Sequence, residues 1–216
     1  MVHLEVLAKG RAALLAGEVR REVPPTEQPG QDRWGISMLL RPDHTMLATL
    51  TEFAADAAAV AGQGHWAHGP ELLHVSLRAL APYRLEPETA GYGEALAEAA
   101  AGLAPITATV KTVSPHPLGI GVHVHPHDDT LDRLYGRLGP ALHKRGLEDF
   151  EYWTREMWYI NAVHFAADVN VEALVNWCDE RRDTEFGTMT LSAVELVRYE
   201  YTGTDMRAVT LHKQLF

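Results

Sequence analysis

Residues 72–80, Leu-Leu-His-Val-Ser-Leu-Arg-Ala-Leu, place three polar side chains in an otherwise apolar run. The run is short, follows a Gly-Pro turn signal and predicts a β-strand. Side chains alternate between the two faces of a strand, so we expect His74, Ser76 and Arg78 to share one face. Together they offer a proton carrier, a hydrogen-bond donor and a fixed positive charge, which suit an anion such as a phosphoryl group. The simpler alternative is a sheet with one solvated polar face.

The composition is typical of a globular protein that forms one medium domain or two small lobes, with 216 residues, 46% of them hydrophobic and 22% charged. The single cysteine, Cys178, leaves no intramolecular disulfide framework and fits a reducing cytosol. The chain shows no basic region followed by a long apolar run, and no apolar segment approaches membrane-spanning length. We therefore expect a cytoplasmic protein that does not enter the membrane.

The net charge of −10 argues against binding to extended nucleic acid, because such proteins normally present a basic face or arm. The compact basic runs are 20–21, 143–145 and 181–182, each in acidic or neutral surroundings. A local positive site for one small anionic ligand remains compatible with this charge.

Strand-like and helix-like patterns alternate along the chain. Residues 1–33 predict an N-terminal arm that ends in a Pro-rich loop, and residues 34–216 predict a single two-lobed domain. In that domain we expect strands over 34–40, 72–80, 106–113, 118–125, 157–165, 188–199 and 207–211. The expected helices cover 43–60, 86–101, 128–145 and 171–182.

The order of elements repeats itself. His74 lies on a predicted strand followed by a helix and two strands, and so does His164. The fold class predicted is therefore α+β: two βαββ lobes with antiparallel sheets around a central cleft and helices outside. Clefts between such halves are common ligand sites.

These residues resemble the two-histidine (2H) phosphoesterase superfamily, which includes RNA 2′,5′-ligase-like proteins and 2′,3′-cyclic nucleotide phosphodiesterases. Its members carry His-x-Thr/Ser-x on each lobe. His74-Val75-Ser76-Leu77 matches the first copy, and His164-Phe165-Ala166-Ala167 stands at the second. Residues 34–43 are similar to the first strand and helix entry of the family, and 158–197 are similar to its second lobe. Residues 1–33 and the insertion around 147–156 are not covered.

The resemblance implies a metal-independent phosphoesterase that uses no cofactor and acts on a small phosphorylated or cyclic-nucleotide-like molecule. His74 and His164 would be the catalytic pair, one as general base and the other as general acid. Ser76 would bind the phosphate, and Arg78 could replace the hydroxyl that is missing at Ala166. The alternative is a catalytically altered or inactive protein that binds an anionic metabolite in the same cleft.

Other residues are weaker candidates. His65, Trp66 and His68 lie in the loop before the His74 strand and, with Lys111, are possible cleft-lining residues, although a Trp in such a loop more often pins it to the core. His123 and His125 point the same way on a predicted strand and could bind a metal, with a carboxylate from Asp128 or Asp129, but no Cys or Glu completes a recognisable metal spacing. We therefore assign no metal site.

Overall fold

A computed structural model describes residues 2–28, 33–147, 151, 155 and 157–216. In these residues the helices are α1 Val2–Leu15, α2 His44–Ala61, α3 Tyr92–Ala100, α4 Thr130–His143 and α5 Val171–Glu180. The strands are β1 Ile36–Leu40, β2 Trp66–Ala67, β3 Val75–Ala81, β4 Ile106–His116, β5 Gly119–Pro126, β6 Trp158–His164, β7 Glu185–Leu191, β8 Ala193–Tyr201 and β9 Met206–Leu215. None of the described helices combines the length and the apolar character that crossing a membrane requires.

The strands form an antiparallel sheet in the order β7-β4-β5-β6-β3-β1-β8-β9, and β2 pairs with β6. At its centre, β3 and β6 are joined by one residue pair, Val75 and Ile160. The sheet therefore divides there into two four-stranded halves: β3-β1-β8-β9 and β7-β4-β5-β6. The predicted α+β class with two antiparallel lobes is confirmed.

The β7-β4-β5-β6 lobe is continuous in sequence, whereas the β3-β1-β8-β9 lobe is assembled from strands before and after it, which the element order alone did not indicate. Strands β4 and β5 follow β3 along the chain but pair with each other and with β6, while β8 and β9 join β1. Each of the two predicted βαββ repeats thus contributes strands to both lobes. Alternating hydrophobicity specifies which face of a strand is buried, but not which strand becomes its neighbour.

The helices cover the outer faces of both lobes. Helices α3 and α4 pack together on the β8–β9 side, whereas α2 and α5 pack on β6, β7 and β4. Helix α2 begins at Asp43, whose carboxylate accepts a hydrogen bond from the Met46 amide at 3.0 Å. Its buried residues Leu50, Phe53 and Ala57 recur at helical spacing and face the sheet.

Three local predictions about strands and loops differ from the structure. The strand expected over 188–199 is two strands, β7 and β8, which are separated at Ser192. The hinge expected at 114–117 lies in the tight β4–β5 hairpin. The loop expected over 62–69 contains the short strand β2. Each difference concerns pairing between strands, which a local pattern does not encode.

The N-terminal residues pack along the β4–β6 lobe. Leu7 and Leu14 of α1 are buried, and Arg11 forms an ion pair of 2.8 Å with Asp179 of α5. After the helix, the chain crosses the lobe, and the amide of Glu22 donates to the carbonyl of Phe165 at 2.6 Å. We call residues 18–23 the N-terminal strap.

Candidate active site

The predicted histidines His74 and His164 both border one cavity of about 280 Å³ between the two lobes, which we call the central chamber. His164 ends β6, and His74 immediately precedes β3. Because β3 and β6 are neighbours that share a single bridge, their ends diverge and leave space between the two rings. The chamber is also bordered by residues Trp34, His68, Ser76, Asn161 and Tyr199.

His74 is held with a lone pair available on Nε2. Its Nδ1 donates to the carbonyl of Leu72 at 2.5 Å, and its Nε2 accepts from the hydroxyls of Ser76 at 3.1 Å and Tyr199 at 3.3 Å. Burial lowers the pKa of His74 to about 4, and the hydrogen bond to Leu72 only partly offsets this effect. The ring is therefore neutral near pH 7. The predicted grouping of His74 with Ser76 is what the structure shows.

Arg78 borders the same chamber, but a β-bulge separates it from Ser76. Ser76 pairs with Leu39 and Arg78 with Met38, which leaves β3 one residue longer than its partner between the two pairs. Such a β-bulge interrupts the regular alternation of side chains between the two faces. Although Arg78 borders the chamber, its guanidinium lies 4.2 Å from the ring of Tyr135 on α4 and donates to the Tyr135 carbonyl at 3.2 Å.

His164 is almost fully buried, at 4% exposure, and both ring nitrogens are hydrogen-bonded. Strand β2 runs beside β6, so His68 reaches Nδ1 of His164 with its Nε2 at 2.8 Å. On the other side, Asn161 Nδ2 lies 3.1 Å from Nε2 of His164. The pKa of His164 is well below its usual value, chiefly because of burial and then because of the neighbouring His68 and Arg33. Burial likewise lowers the pKa of His68 to about 3.

A second bulge brings Asn161 and His164 together. Gly121 pairs with Asn161, Ile120 with Val163 and Gly119 with His164, so β6 carries one extra residue. Residues three apart on a regular strand face opposite sides, but here they share a face. The same Asn161 accepts at Oδ1 from His116 Nε2 at 3.0 Å. Sequence reasoning missed Asn161 and His116, because neither belongs to a motif.

The N-terminal strap adds a buried carboxylate to this site. Glu22 is 6% exposed, and its Oε1 lies 4.0 Å from Nε2 of His164. It accepts hydrogen bonds from Trp34 Nε1 at 2.9 Å and from Arg33 Nε at 3.1 Å. Trp34 has a positive φ of 63°, and its ring packs edge-on against His164 and Tyr199, at 5.2 Å from each. Neither Glu22 nor Trp34 was among the sequence-predicted site residues.

A second cavity, of about 420 Å³, lies between α1 and strands β4–β6, and we call it the outer chamber. Arg33, Tyr159, Asn161 and His164 border both chambers. Its charged lining side chains are the basic Lys9, Arg20 and Arg33 and the acidic Glu18. This excess of positive charge contrasts with the net charge of −10 of the chain.

Part of the 147–156 insertion also reaches the central chamber. Glu151 and Arg155 border it and form an ion pair with each other. The Glu151 carboxylate accepts a hydrogen bond from the amide of Ala79 on β3 at 3.2 Å. Most of the insertion lies outside the described residues.

The fold was compared with known proteins. No protein-family model matches the sequence, and no curated protein sequence does. Among solved structures, TT0787 of Thermus thermophilus superimposes with a TM-score of 0.60 at 15% identity, over 84% of this chain and 97% of that one. LigT of E. coli, in complex with 3′-AMP, superimposes with a TM-score of 0.57 at 11% identity, over 85% of this chain and 98% of that one. A structure described as a phosphoesterase gives a TM-score of 0.58 at 11% identity, over 85% and 98%.

This chain has the fold that TT0787 and LigT share. The central chamber lies between the two histidine strands of this fold.

Of the four possible cleft-lining residues, His68 borders the central chamber and the other three lie elsewhere. His65 Nδ1 accepts from the amide of Ala166 at 3.2 Å, and its Nε2 lies 3.1 Å from the carbonyl of Ala61. Trp66 is 4% exposed and belongs to a small apolar cluster. Lys111 lies on β4, outside the lining of either chamber.

His123 and His125 have ring centroids 6.4 Å apart on β5. Among the described residues, no group of three or more His, Cys, Asp or Glu side chains is arranged to hold a metal ion.

Proposed function

We propose that this chain is a phosphoesterase that hydrolyses a small phosphorylated or cyclic-nucleotide-like molecule by acid–base catalysis with His74 and His164. The observation that carries the proposal is that both motif histidines border one chamber. Structures of E. coli LigT with 3′-AMP, ATP, NADP+ and phosphate support a small anionic ligand for this fold.

In the proposed reaction, a water molecule attacks phosphorus while one histidine accepts its proton. The bond from phosphorus to one ribose oxygen breaks, and the second histidine donates a proton to that oxygen. Histidine suits both roles because its unperturbed pKa is near neutrality. The Ser76 hydroxyl, which contacts His74 Nε2 at 3.1 Å, would donate to a non-bridging phosphate oxygen. These steps require no metal ion.

Arg78 and Ala166 bear on how the phosphate is held. Phosphate binding by Arg78 stays a prediction, and it requires the guanidinium to leave the ring and carbonyl of Tyr135. Ala166 supplies no hydroxyl, and its amide is already bonded to His65. Loss of one donor to a transition-state oxyanion typically costs about 3 kcal/mol.

The first prediction is that 2′,3′-cyclic nucleotides are hydrolysed by the wild type and that His74→Ala and His164→Ala each lower kcat/KM by roughly 10²–10⁴-fold. The reason is that each substitution removes one proton-transfer group. The measurement is initial hydrolysis rates of all four cyclic nucleotides. His143→Ala, at the exposed end of α4, is the matched control and should retain full activity. Equal activity in both chamber variants and the wild type would contradict the assignment.

The second candidate is a protein that binds an anionic metabolite without turnover. It is favoured by the alanine at position 166 and by the engagement of both ring nitrogens of His164. Thermal shifts with nucleotides and inorganic phosphate separate the two candidates. A raised melting temperature without hydrolysis supports binding alone, and hydrolysis excludes it.

A further inference from the structure

One chain of hydrogen bonds passes through His116, Asn161, His164 and His68, and its direction is set at one end. The amide of Leu118 can only donate, so Nδ1 of His116 accepts it at 3.3 Å, and the ring proton resides on Nε2. That proton is donated to Asn161 Oδ1, which turns the Nδ2 group of the amide towards His164 Nε2. His164 therefore accepts at Nε2, and its proton lies on Nδ1, facing His68 Nε2.

Protonation of His164 at Nε2 conflicts with this chain. The new N–H would face the N–H of Asn161, so that two donors point at each other. Reversing the amide would remove that conflict, but it would create the same conflict with the Nε2–H of His116. A buried donor left without an acceptor is destabilising by about 1–3 kcal/mol. The hydrogen-bond pattern thus disfavours a proton on His164.

His74 has different partners. Its Nε2 meets only the hydroxyl groups of Ser76 and Tyr199. A hydroxyl both donates and accepts, so each can rotate to accept from a protonated His74. Burial raises the pKa of Tyr199, which keeps its hydroxyl protonated across the relevant pH range. Of the two motif histidines, His74 can therefore take up a proton without breaking its hydrogen bonds.

We propose that Asn161, oriented by His116, is a positioning residue that keeps His164 neutral with its lone pair on Nε2, so that His164 is the general base and His74 the general acid. The acid and base roles rest on the proposed function, whereas the tautomer does not. In the reaction, the attacking water replaces the Asn161 N–H as the hydrogen-bond donor to the lone pair on His164 Nε2. His74 first takes up a proton from solvent at Nε2 as the anionic substrate binds beside it. The bond from water oxygen to phosphorus then forms, the water proton moves to His164, the ester P–O bond breaks, and His74 gives the proton on Nε2 to the leaving oxygen.

The charged and titratable groups around His164 come from several elements. The Glu22 carboxylate would favour a proton on His164, and the Arg33 guanidinium, which is paired with that carboxylate, would oppose it. Because these two charges have opposite effects on the protonation of His164, the hydrogen-bond chain determines which ring nitrogen carries the proton. The other titratable neighbours are His68, His74 and His116.

Nitrogen-15 NMR of the histidine rings tests the tautomer directly. In the wild type near neutral pH, we expect His164 to be protonated at Nδ1 and unprotonated at Nε2. In Asn161→Asp the carboxylate can only accept, so Nε2 of His164 should become protonated. His116→Gln retains an N–H that can orient Asn161 and should preserve the wild-type tautomer, whereas His116→Leu should not. His143→Leu, on the exposed end of α4, is the control and should leave the His164 signals unchanged.

A protonated Nε2 in the wild type, or an unchanged tautomer in Asn161→Asp, would overturn the proposal. If Asn161→Asp does not fold, nitrogen-15 spectra of His116→Gln and His116→Leu provide the test. Identical His164 signals in these two variants would overturn the proposal.

Kinetics test the division of roles. If His164 is the base, Asn161→Asp should lower kcat/KM for 2′,3′-cyclic nucleotides by roughly a hundredfold or more, and the loss should grow as the pH falls. If the roles were reversed, the same substitution would supply a protonated acid and raise kcat/KM near neutral pH. A gain therefore overturns the role assignment. The wild type could also show the expected His164 tautomer and yet hydrolyse no cyclic nucleotide. That result would overturn the proposed function and leave the hydrogen-bond assignment intact.

Discussion

At the scale of single residues, two β-bulges decide which side chains meet in the cleft. The bulge in β3 separates Arg78 from Ser76, and the Arg78 guanidinium lies against Tyr135 on α4. The bulge in β6 places Asn161 on the same face as His164. The chemistry of the site therefore depends on backbone register as much as on residue identity.

The close approach of β5 to β6 leads to a prediction about Gly119. This residue pairs with His164, and a Cβ at this position would lie 1.9 Å from the carbonyl oxygen of Val163. Gly119→Ala should lower the free energy of unfolding by about 1–3 kcal/mol or more, because the strands must move apart. Gly136→Ala, inside α4 with no atom near its Cβ, should instead stabilise by about 0.5–1 kcal/mol. Urea unfolding of both variants measures the difference, and equal effects would contradict this view of the strand pair.

At the scale of elements, the N-terminal residues contribute to both the core and the site. Helix α1 packs on β4 and α5, and it forms one side of the outer chamber. The strap that follows delivers Glu22 to within 4.0 Å of His164. A segment that the family resemblance did not cover thus contacts the second motif histidine.

Two adjacent leucines test whether α1 belongs to the hydrophobic core. Leu14 is fully buried, whereas Leu15 is 51% exposed. Leu14→Ala should lower the free energy of unfolding by about 2–5 kcal/mol, because it removes buried methyl groups and leaves a cavity. Leu15→Ala should change it by less than about 0.5 kcal/mol. Chemical denaturation checks both values, and a small loss for Leu14→Ala would indicate that α1 is only loosely attached.

At the scale of the whole molecule, the cleft holds a cluster of buried and half-buried neutral histidines. The pKa of His68 is lowered to about 3, and the pKa values of His74 and His116 are lowered to about 4, in each case chiefly by burial. Their ordinary value of 6.5 applies once the chain unfolds. The unfolded chain therefore binds more protons than the folded chain between these values.

It follows that the protein should become less stable as the pH falls below 6.5. Each such histidine contributes a slope of up to about 1.4 kcal/mol per pH unit until the pH reaches its folded pKa. Urea unfolding between about pH 7 and pH 5, where most carboxylates stay ionised, measures the slope. His116→Gln should reduce it by removing one buried group, while His143→Gln should leave it unchanged. A stability that is constant over this range would contradict the burial of neutral rings.

The sequence by itself determined the elements and the two histidine strands of this protein. Hydrophobic periodicity, the cap at Asp43 and the His-x-Ser tetrapeptide at His74 are local signals, and the structure has the expected α+β fold around them. These features depend on residues close together in the chain, where a pattern of a few residues carries the physical preference.

Only the tertiary structure decided how the site is assembled. Strand pairing across the lobes, the register of the two bulges and the contacts of His164 with His68 and Asn161 link segments whose sequence patterns are independent of one another. His68 lies 96 residues from His164, and His116 lies 45 residues from Asn161. A bulge is specified by how two strands fit against each other, and a buried hydrogen bond forms only after both partners lose water. Neither condition exists until the chain has folded.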